Sequence, residues 1–319
     1  MYVMIEFIQK LQCRIPAVAG MTVGDVEVVD GRGKRGGLYL GFYLIACLAV
    51  FAMFSPYAVA AEAKTETAYD RVMRTGTLRC GYILYDPAIK MDLNTKKIYG
   101  ILPDLLEDLT KRLSLKLEWT EEVPFVTAFE GLKLGRYDAV CTALWGWPEQ
   151  ARVGELVGPF YYYPIGIWVR ADDHRFDTDR SKINAKDVKI SGVDGTFPLD
   201  AARIDFPLAH AVSLPQSSDY TQPLMEVMTK KADITMMDNN IGLRFLKANP
   251  GTIRNISITP PYKIFGEFLV VPKGDHDLQS MLQSVVNLMV LDGSVDRTLK
   301  KYEAGAGAYY RVATPYQVP

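Results

Sequence analysis

An α/β fold with mainly parallel sheets is predicted, because segments typical of buried strands alternate with segments typical of amphipathic helices. This alternation occurs in two blocks, one before and one after an aromatic-rich stretch that ends at Tyr163. Of the 319 residues, 49% are hydrophobic and 23% are charged. Such a chain can bury a full core, and its length fits one large domain or two lobes.

The first block begins with "GTLRCGYIL", which is typical of a buried strand. Apolar residues every four positions from Ile101 to Leu113 predict a helix, and Lys111 and Arg112 near its end suit the helix dipole. "KLEWTEEV" indicates a strand, "AFEGLKLG" a short helix stopped by Gly135, and "YDAVCTAL" another strand.

The second block follows the same logic. "DVKISGVDGT" predicts a strand that runs into a glycine-rich turn. "PLMEVMTKKADITMMDNN" predicts a helix and then an apolar strand that stops at polar residues. "PYKIFGEFLVVPKG" indicates extended chain, the last helical region is broken at Asp292-Gly293, and the tail at 304–319 is expected to be irregular.

An export signal is expected at residues 38–60, preceded by an extension at 1–37 whose start codon is in doubt. The run from Leu38 to Phe54 has no charge and follows basic residues, and Ala58-Val59-Ala60 offers a signal-peptidase site. We therefore expect a periplasmic protein cleaved near Ala60. A retained anchor is the less favoured alternative, because 17 apolar residues are only just long enough to span a bilayer.

The formal net charge of −1 argues against nucleic acid as a partner. Cys80 and Cys141 remain after cleavage, an even number in an oxidising compartment. Two buried thiols are the favoured interpretation and a disulfide is the alternative, because a bridge requires Cα atoms within roughly 7 Å.

Eight segments occur in an order and spacing that resemble the periplasmic solute-binding proteins of family 3, the amino-acid-type receptors of ABC importers. They include "GTLRCGY", "EGLKLGRYDAVCTAL", "PEQARVGELVGPFYY", "KKADITMMD" and "LDGSVDRTLKKY". The resemblance covers about Thr75 to Tyr302. It implies two lobes, one at 64–162 plus 270–303 and one at 166–262, with the ligand between them.

The resemblance also implies which residues bind the ligand. In relatives an arginine grips the carboxylate of a bound amino acid, a bidentate match that glutamine cannot reproduce. The matching position here is Gln150, so this grip is lost. Arg152 is two residues further on and, if the segment is helical, points away, so a solvated residue is favoured over a ligand contact.

Asp238 matches the aspartate that takes the ligand's ammonium in relatives. It follows a predicted apolar strand, where an unpaired carboxylate would be costly. The alternative is that Asp238 caps the helix that follows, and one carboxylate could serve both roles.

Aromatic residues form the rest of the expected site. Trp145 and Trp147 stand where smaller hydroxyl residues are usual in relatives, and their indoles attract cations. At least one is expected to face the cleft, with core packing as the alternative. Tyr85 occupies the region where relatives place an aromatic residue that stacks on the ligand. Asp86 is favoured as a turn residue. Tyr161 to Tyr163 are favoured as residues of the core and the hinge.

Thr142 and Thr196 complete the expected ligand-binding residues, because both directly follow predicted strands, where ligands collect in α/β sheets. The segment "GVDGT" could also hold a carboxylate by its backbone N–H groups, so an ordinary amino acid stays possible.

We therefore expect a monomeric periplasmic receptor that closes on an amine-bearing solute and delivers it to an ABC permease of the inner membrane. No catalytic residue, metal or cofactor is expected, since the three histidines lack metal spacing and no G-x-S-x-G motif occurs. One alternative is a periplasmic accessory or sensor module, for example one associated with a quinoprotein dehydrogenase. A dehydratase-like enzyme is the other, although Gln150 argues against the substrate clamp it would need.

Overall fold

The computed structural model describes residues 66–124, 127–144 and 148–313. The predicted extension at 1–37 and export signal at 38–60 lie outside these residues. Among the helices that the structure describes, none combines the length and the apolar character needed to cross a membrane.

Helices and strands alternate along the described chain. The α-helices are α1 (Ala68–Thr75), α2 (Ile101–Arg112), α3 (Ala128–Lys133), α4 (Pro148–Val153), α5 (Phe197–Asp205), α6 (Gln222–Met228), α7 (Asn239–Ala248), α8 (His276–Leu291) and α9 (Ser294–Tyr302). The strands of the first half are β1 (Thr77–Tyr82), β2 (Lys90–Met91), β3 (Ile98–Tyr99), β4 (Lys116–Glu122), β5 (Ala139–Leu144), β6 (Gly154–Val157) and β7 (Tyr161–Arg170). Those of the second half are β8 (Lys189–Val193), β9 (His210–Leu214), β10 (Ile234–Asp238), β11 (Ile253–Asn255), β12 (Lys263–Gly266), β13 (Phe268–Pro272) and β14 (Tyr310–Arg311).

Two sheets, each with a parallel core, form the two lobes. The first sheet has the order β4-β1-β5-β13-β6, in which β4, β1 and β5 are parallel and β13 is antiparallel to both of its neighbours. The second has the order β11-β7-β10-β8-β9, in which β10, β8 and β9 are parallel and β7 is antiparallel to β10. The alternating pattern thus predicted the parallel cores, and antiparallel strands extend both.

The buried face of α2 and the break between α8 and α9 agree with the sequence predictions. In α2 the apolar residues Ile101, Leu105 and Leu109 are fully buried, as their four-residue spacing requires. The predicted break at Asp292-Gly293 separates α8 from α9, and Gly293 adopts φ +78°, a left-handed conformation that glycine enters without steric cost.

The chain passes between the lobes in paired strands. Tyr162 to Ile165 of β7 pair antiparallel with Lys263 to Gly266 of β12, so the two segments expected to cross between lobes lie side by side. The C-terminal tail corrects the expectation of irregular chain. Ala308 and Tyr309 are buried, and β14 pairs with Tyr161 and Tyr162 of β7.

Cys80 and Cys141 form a disulfide, so the favoured interpretation of two separate thiols was wrong. They lie on neighbouring parallel strands, β1 and β5, and their Cα atoms are 5.4 Å apart. Both residues are fully buried, and the bridge therefore ties together two central strands of the first sheet.

Candidate functional site

The expected ligand-binding residues that the structure describes lie beyond the carboxyl ends of parallel strands. In the first lobe Tyr85 follows β1 and Thr142 lies near the end of the adjacent β5. In the second lobe Thr196 follows β8, and Asp238 ends the adjacent β10. Because strand ends of this kind form the crevice of α/β folds, the four residues occupy the region where a ligand is expected.

Asp238 begins helix α7 and is buried, with 1% of its surface exposed. Its Oδ1 accepts a hydrogen bond of 2.9 Å from the backbone N–H of Ile241, which is the predicted helix cap. Its Oδ2 accepts a hydrogen bond of 2.7 Å from the Tyr85 hydroxyl. Burial raises the pKa of Asp238, and these two hydrogen bonds oppose that rise.

Tyr85 therefore brings the two lobes together at Asp238. Its ring also makes an edge-to-face contact with Tyr220, with 4.7 Å between the centroids. Burial, reinforced by the charge of Asp238, raises the pKa of the Tyr85 hydroxyl well above its usual value. The hydroxyl consequently stays protonated and serves as a donor to the carboxylate.

Asp86, the next residue, makes a second contact between the lobes. Its Oδ1 pairs with the Arg244 guanidinium of α7 at 2.5 Å, and its Oδ2 pairs with Lys90 at 2.8 Å. The sequence favoured a turn role for Asp86, and the structure adds these ion pairs. Arg244 is a cation close to Asp238 that sequence reasoning missed; it pairs with Asp86 and its side chain is 41% exposed.

A cluster of buried tyrosines lies beside the crossover strands. The hydroxyls of Tyr161 and Tyr163 are 2.8 Å apart, and the Tyr309 ring contacts both rings at 5.1 Å and 5.5 Å between centroids. This placement agrees with the expected core and hinge role for Tyr161 and Tyr163. We call Tyr161, Tyr163 and Tyr309 the tyrosine cluster.

Two buried acidic side chains act on the tyrosine cluster. Burial, and after it the charge of Glu267, raises the pKa values of Tyr161 and Tyr163 well above the usual range. For Tyr309 burial and then Asp238 have the same effect. Glu267 is fully buried between β12 and β13. Glu267 and Asp238 thus both act electrostatically on the tyrosine cluster, and Arg244 opposes them at Tyr309.

Helix α4 contains Gln150, the position that matches the carboxylate-binding arginine of relatives. Gln150 is buried, with 4% of its surface exposed, whereas Arg152 is exposed, as the favoured interpretation of a solvated residue requires. The indoles of Trp145 and Trp147 lie outside the described residues, so their expected orientation toward the cleft stays a prediction.

Two hydroxyl residues of the expected site make local hydrogen bonds. Thr142 is buried, and its hydroxyl donates to the carbonyl of Ile83 at 3.0 Å. The Thr196 hydroxyl donates to the carbonyl of Val193 at 2.6 Å. Both oxygens keep acceptor capacity, which suits a donor such as an ammonium group better than a carboxylate.

The turn in "GVDGT" offers fewer free donors than the sequence suggests. The N–H of Asp194 donates to Leu214, the N–H of Thr196 donates to Val193, and Pro198 in the first turn of α5 has no N–H. The amino-acid alternative rested on backbone donors at this helix start, and these bonds weaken it.

Sequence reasoning missed Tyr220, Arg244, Glu267 and Tyr309. One signal for Tyr309 was available, since "YYR" in a tail expected to be irregular contains two large rings that favour burial. For Arg244 the spacing of six residues after a predicted helix cap carried no such signal. Within the residues that the structure describes, no group of three or more histidine, cysteine or acidic side chains is placed to hold a metal ion.

Solved structures of other proteins share this fold. An ancestral amino-acid-binding protein, AncCDT-1, described as a precursor of cyclohexadienyl dehydratase, matches with a TM-score of 0.63 and 23% identity over 74% of this chain and 99% of its own. A binding component of an ABC transporter from Wolinella succinogenes, complexed with lysine, matches with a TM-score of 0.63 and 19% identity over 72% of this chain and 97% of its own. The L-cystine solute receptor of Neisseria gonorrhoeae, in an unliganded open conformation, matches with a TM-score of 0.57 and 21% identity. The match covers 76% of this chain and 99% of the receptor.

Comparison with curated protein sequences gave no match. A family model of the bacterial extracellular solute-binding proteins, family 3, matches residues 78–305, which is more than two thirds of the chain. The two-lobed fold agrees with this match. The chain therefore belongs to the bacterial extracellular solute-binding proteins of family 3.

Proposed function

We propose that this protein is a periplasmic receptor that captures a small polar solute bearing an amine and delivers it to an ABC importer. The observation that carries the proposal is the buried carboxylate of Asp238, whose Oδ2 accepts a hydrogen bond from a side chain of the opposite lobe. An ammonium group is a stronger donor than a phenol to such a carboxylate, because both partners are then charged.

The surroundings of Asp238 support a cationic guest. Glu267 adds a second buried acidic side chain beside the tyrosine cluster. Tyrosine faces attract ammonium groups by about 0.5–2 kcal/mol. Gln150 stands in place of the carboxylate-binding arginine of relatives, and Arg152 is exposed. A solute with a positive group and without a dominant carboxylate fits this set best.

The proposed mechanism is hinge closure between a lobe at 64–162 plus 270–303 and a lobe at 166–262. The solute first docks on the first lobe at Tyr85, Thr142, Gln150 and the two indoles of Trp145 and Trp147. The second lobe then brings Asp238 and Thr196 over it. The amine takes the place of the Tyr85 hydroxyl at Asp238 Oδ2, so closure on solute substitutes one donor for another.

We further propose that the receptor works in the periplasm. The chain is exported, cleaved near Ala60 and active as a monomer, and its closed form is the one that an inner-membrane permease binds. Family membership supports export and the capture of small molecules. It does not name the solute, which the cleft chemistry addresses.

A thermal-shift screen of the exported protein tests the proposal. The probes are tyramine, choline and putrescine, with lysine and glutamine as amino acids. Ligand at 100 times its dissociation constant adds roughly 2.7 kcal/mol to the free energy of unfolding, which displaces the melting curve clearly. Shifts with amines support the amine site, whereas shifts with amino acids alone restore a carboxylate-binding site.

One observation favours a second function, an accessory or sensor module that uses the fold to bind protein, for example beside a quinoprotein dehydrogenase. The Tyr85 hydroxyl occupies Asp238, so a side chain of the protein fills the position intended for solute. If no small molecule shifts the melting curve, this function is preferred. A dehydratase-like activity is a weaker alternative, because Gln150 removes the substrate-carboxylate clamp.

A further inference from the structure

The C-terminal segment 303–311 reaches from the first lobe to the second. It starts at the end of α9, which is fixed on the first lobe because the Tyr302 hydroxyl donates to Asp104 of α2 at 3.1 Å. It ends in β14, which pairs with Tyr161 and Tyr162 at the crossover end of β7, and between its two ends it contacts the second lobe. The described chain therefore connects the lobes a third time, in addition to the paired crossover strands.

Two asparagines of the second lobe hold this segment. The N–H of Ala304 donates to Asn240 Oδ1 at 2.8 Å, and Asn239 Nδ2 donates to the carbonyl of Gly307 at 3.1 Å. Both asparagines stand in the first turn of α7, directly after Asp238. The segment is thus fastened to the same helix start that carries the proposed cation-binding carboxylate.

The segment is also held by the buried side chain of Tyr309 and by two ion pairs of Arg311. Tyr309 is 3% exposed and packs against Tyr161 and Tyr163. The Arg311 guanidinium donates to Asp296 of α9 at 2.9 Å and to Glu303 at 2.7 Å. Arg311 therefore ties the end of the segment, which lies at the crossover strands, back to the first-lobe helix from which it came.

Little slack separates the two attachment points. Only Glu303 lies between Tyr302, held at Asp104, and Ala304, held at Asn240. Two residues of fully extended chain span at most about 7 Å between Cα atoms. The Cα atoms of Tyr302 and Ala304 cannot separate beyond this length. An opening that carries the start of α7 further from the end of α9 must therefore release the Asn240 contact.

We propose that residues 303–311 are a strap that holds the two lobes together when no solute is bound, and that the strap must release from Asn239 and Asn240 for the cleft to open. The receptor then has a closed form independent of solute, set by the strap and by the Tyr85 and Asp86 contacts. This inference does not depend on which solute the cleft binds.

The test measures the distance between the lobes in the absence of solute. Spin labels on Lys111→Cys and Lys186→Cys report that distance in the exported protein, with Cys13 and Cys47 replaced by serine in case the leader is retained. Lys111 and Lys186 are exposed, one on each lobe, and the two remaining cysteines are joined in the disulfide. Pulsed electron paramagnetic resonance gives the distance distribution.

Three variants release the strap: deletion of residues 304–319, Asn240→Ala and Asn239→Ala. Each is expected to add a population at longer distance, and loss of a single hydrogen bond is expected to raise the open-to-closed ratio roughly fivefold. Arg203→Ala is the matched control, because Arg203 pairs with Asp200 within α5 alone. It is expected to leave the distribution unchanged.

The proposal is overturned if folded strap variants give the same distance distribution as the parent protein. If the deletion fails to fold, the two point variants decide. Because no solute is added, a failed solute screen leaves this result interpretable, and a successful screen with unchanged distances refutes the strap alone.

Discussion

The Tyr85 hydroxyl donates a hydrogen bond of 2.7 Å to Asp238 Oδ2 across 153 residues of sequence. Tyr85 follows the first strand of one sheet, and Asp238 ends a strand of the other. The two residues come from opposite lobes, so the bond forms only when the lobes approach. The carboxylate assigned to the solute thus already has a partner when no solute is present.

Replacing Tyr85 with phenylalanine removes this bond and leaves a buried carboxylate with one donor fewer. We expect the free energy of unfolding to fall by about 1–3 kcal/mol, the usual range for a hydrogen bond to a charged or buried group. Urea denaturation measures the change. Tyr99→Phe is the control, since Tyr99 is 39% exposed. Equal stability of the two variants would show that the Tyr85–Asp238 bond contributes nothing.

The raised pKa of Asp238 predicts a pH dependence of stability. Burial disfavours the charged form, so the stability linked to Asp238 is fully present below its ordinary pKa of 3.8 and is lost as pH rises through the higher pKa of the folded state. Asp238→Asn keeps a good helix cap and removes this titration.

The measurement is the difference in urea midpoint between Asp238→Asn and the parent protein from about pH 4 to pH 7. The variant is expected to gain stability relative to the parent as pH increases, and the difference cancels titrations that both proteins share. A difference that stays constant, or that moves the other way, contradicts a raised pKa at Asp238.

Gln150 and Arg152 separate a buried position from an exposed one on the same short helix. Gln150→Ala is expected to destabilise the protein by about 1–3 kcal/mol because the polar side chain of Gln150 is buried, and to reduce any amine-induced thermal shift. Arg152→Ala is expected to change stability by less than about 0.5 kcal/mol and to leave that shift intact. Loss of the shift in Arg152→Ala would make the arginine a ligand contact after all.

The disulfide between Cys80 and Cys141 closes a loop with a sequence separation of 61. By the chain-entropy relation a loop of this size stabilises the folded state by about 4 kcal/mol. Cys80→Ser combined with Cys141→Ser should lower the urea midpoint accordingly, and reductant should do the same to the parent protein. The double variant is also the control for reductant, because its own urea midpoint should not respond, and an equally insensitive parent protein would argue that the bridge does not form.

The sequence allowed much of the fold to be predicted because its strongest signals are local. The four-residue spacing in α2, the glycine break before α9 and the apolar strand that ends at Asp238 each depend on neighbouring residues. Short strands without a buried residue, such as β9, have no such signal, and His210 and Ala211 in it are exposed.

The site was only partly predictable, since its decisive contacts join distant segments. Asp238 could be located from its strand and its helix, but its bond to Tyr85 depends on how the lobes meet. The ion pair of Arg244 with Asp86 and the burial of Tyr309 depend on the same arrangement. The disulfide likewise required the register of β1 against β5, which composition does not reveal.

Isothermal titration of an amine into the parent protein and into Asp238→Asn tests the central claim most directly. Tyramine, choline and putrescine are the probes, with lysine and glutamine for comparison. We expect that at least one amine binds the parent protein and that Asp238→Asn weakens its binding roughly 10- to 100-fold, the effect of losing a charged hydrogen bond. Equal amine affinity in both proteins, or heat only from the amino acids, would contradict it.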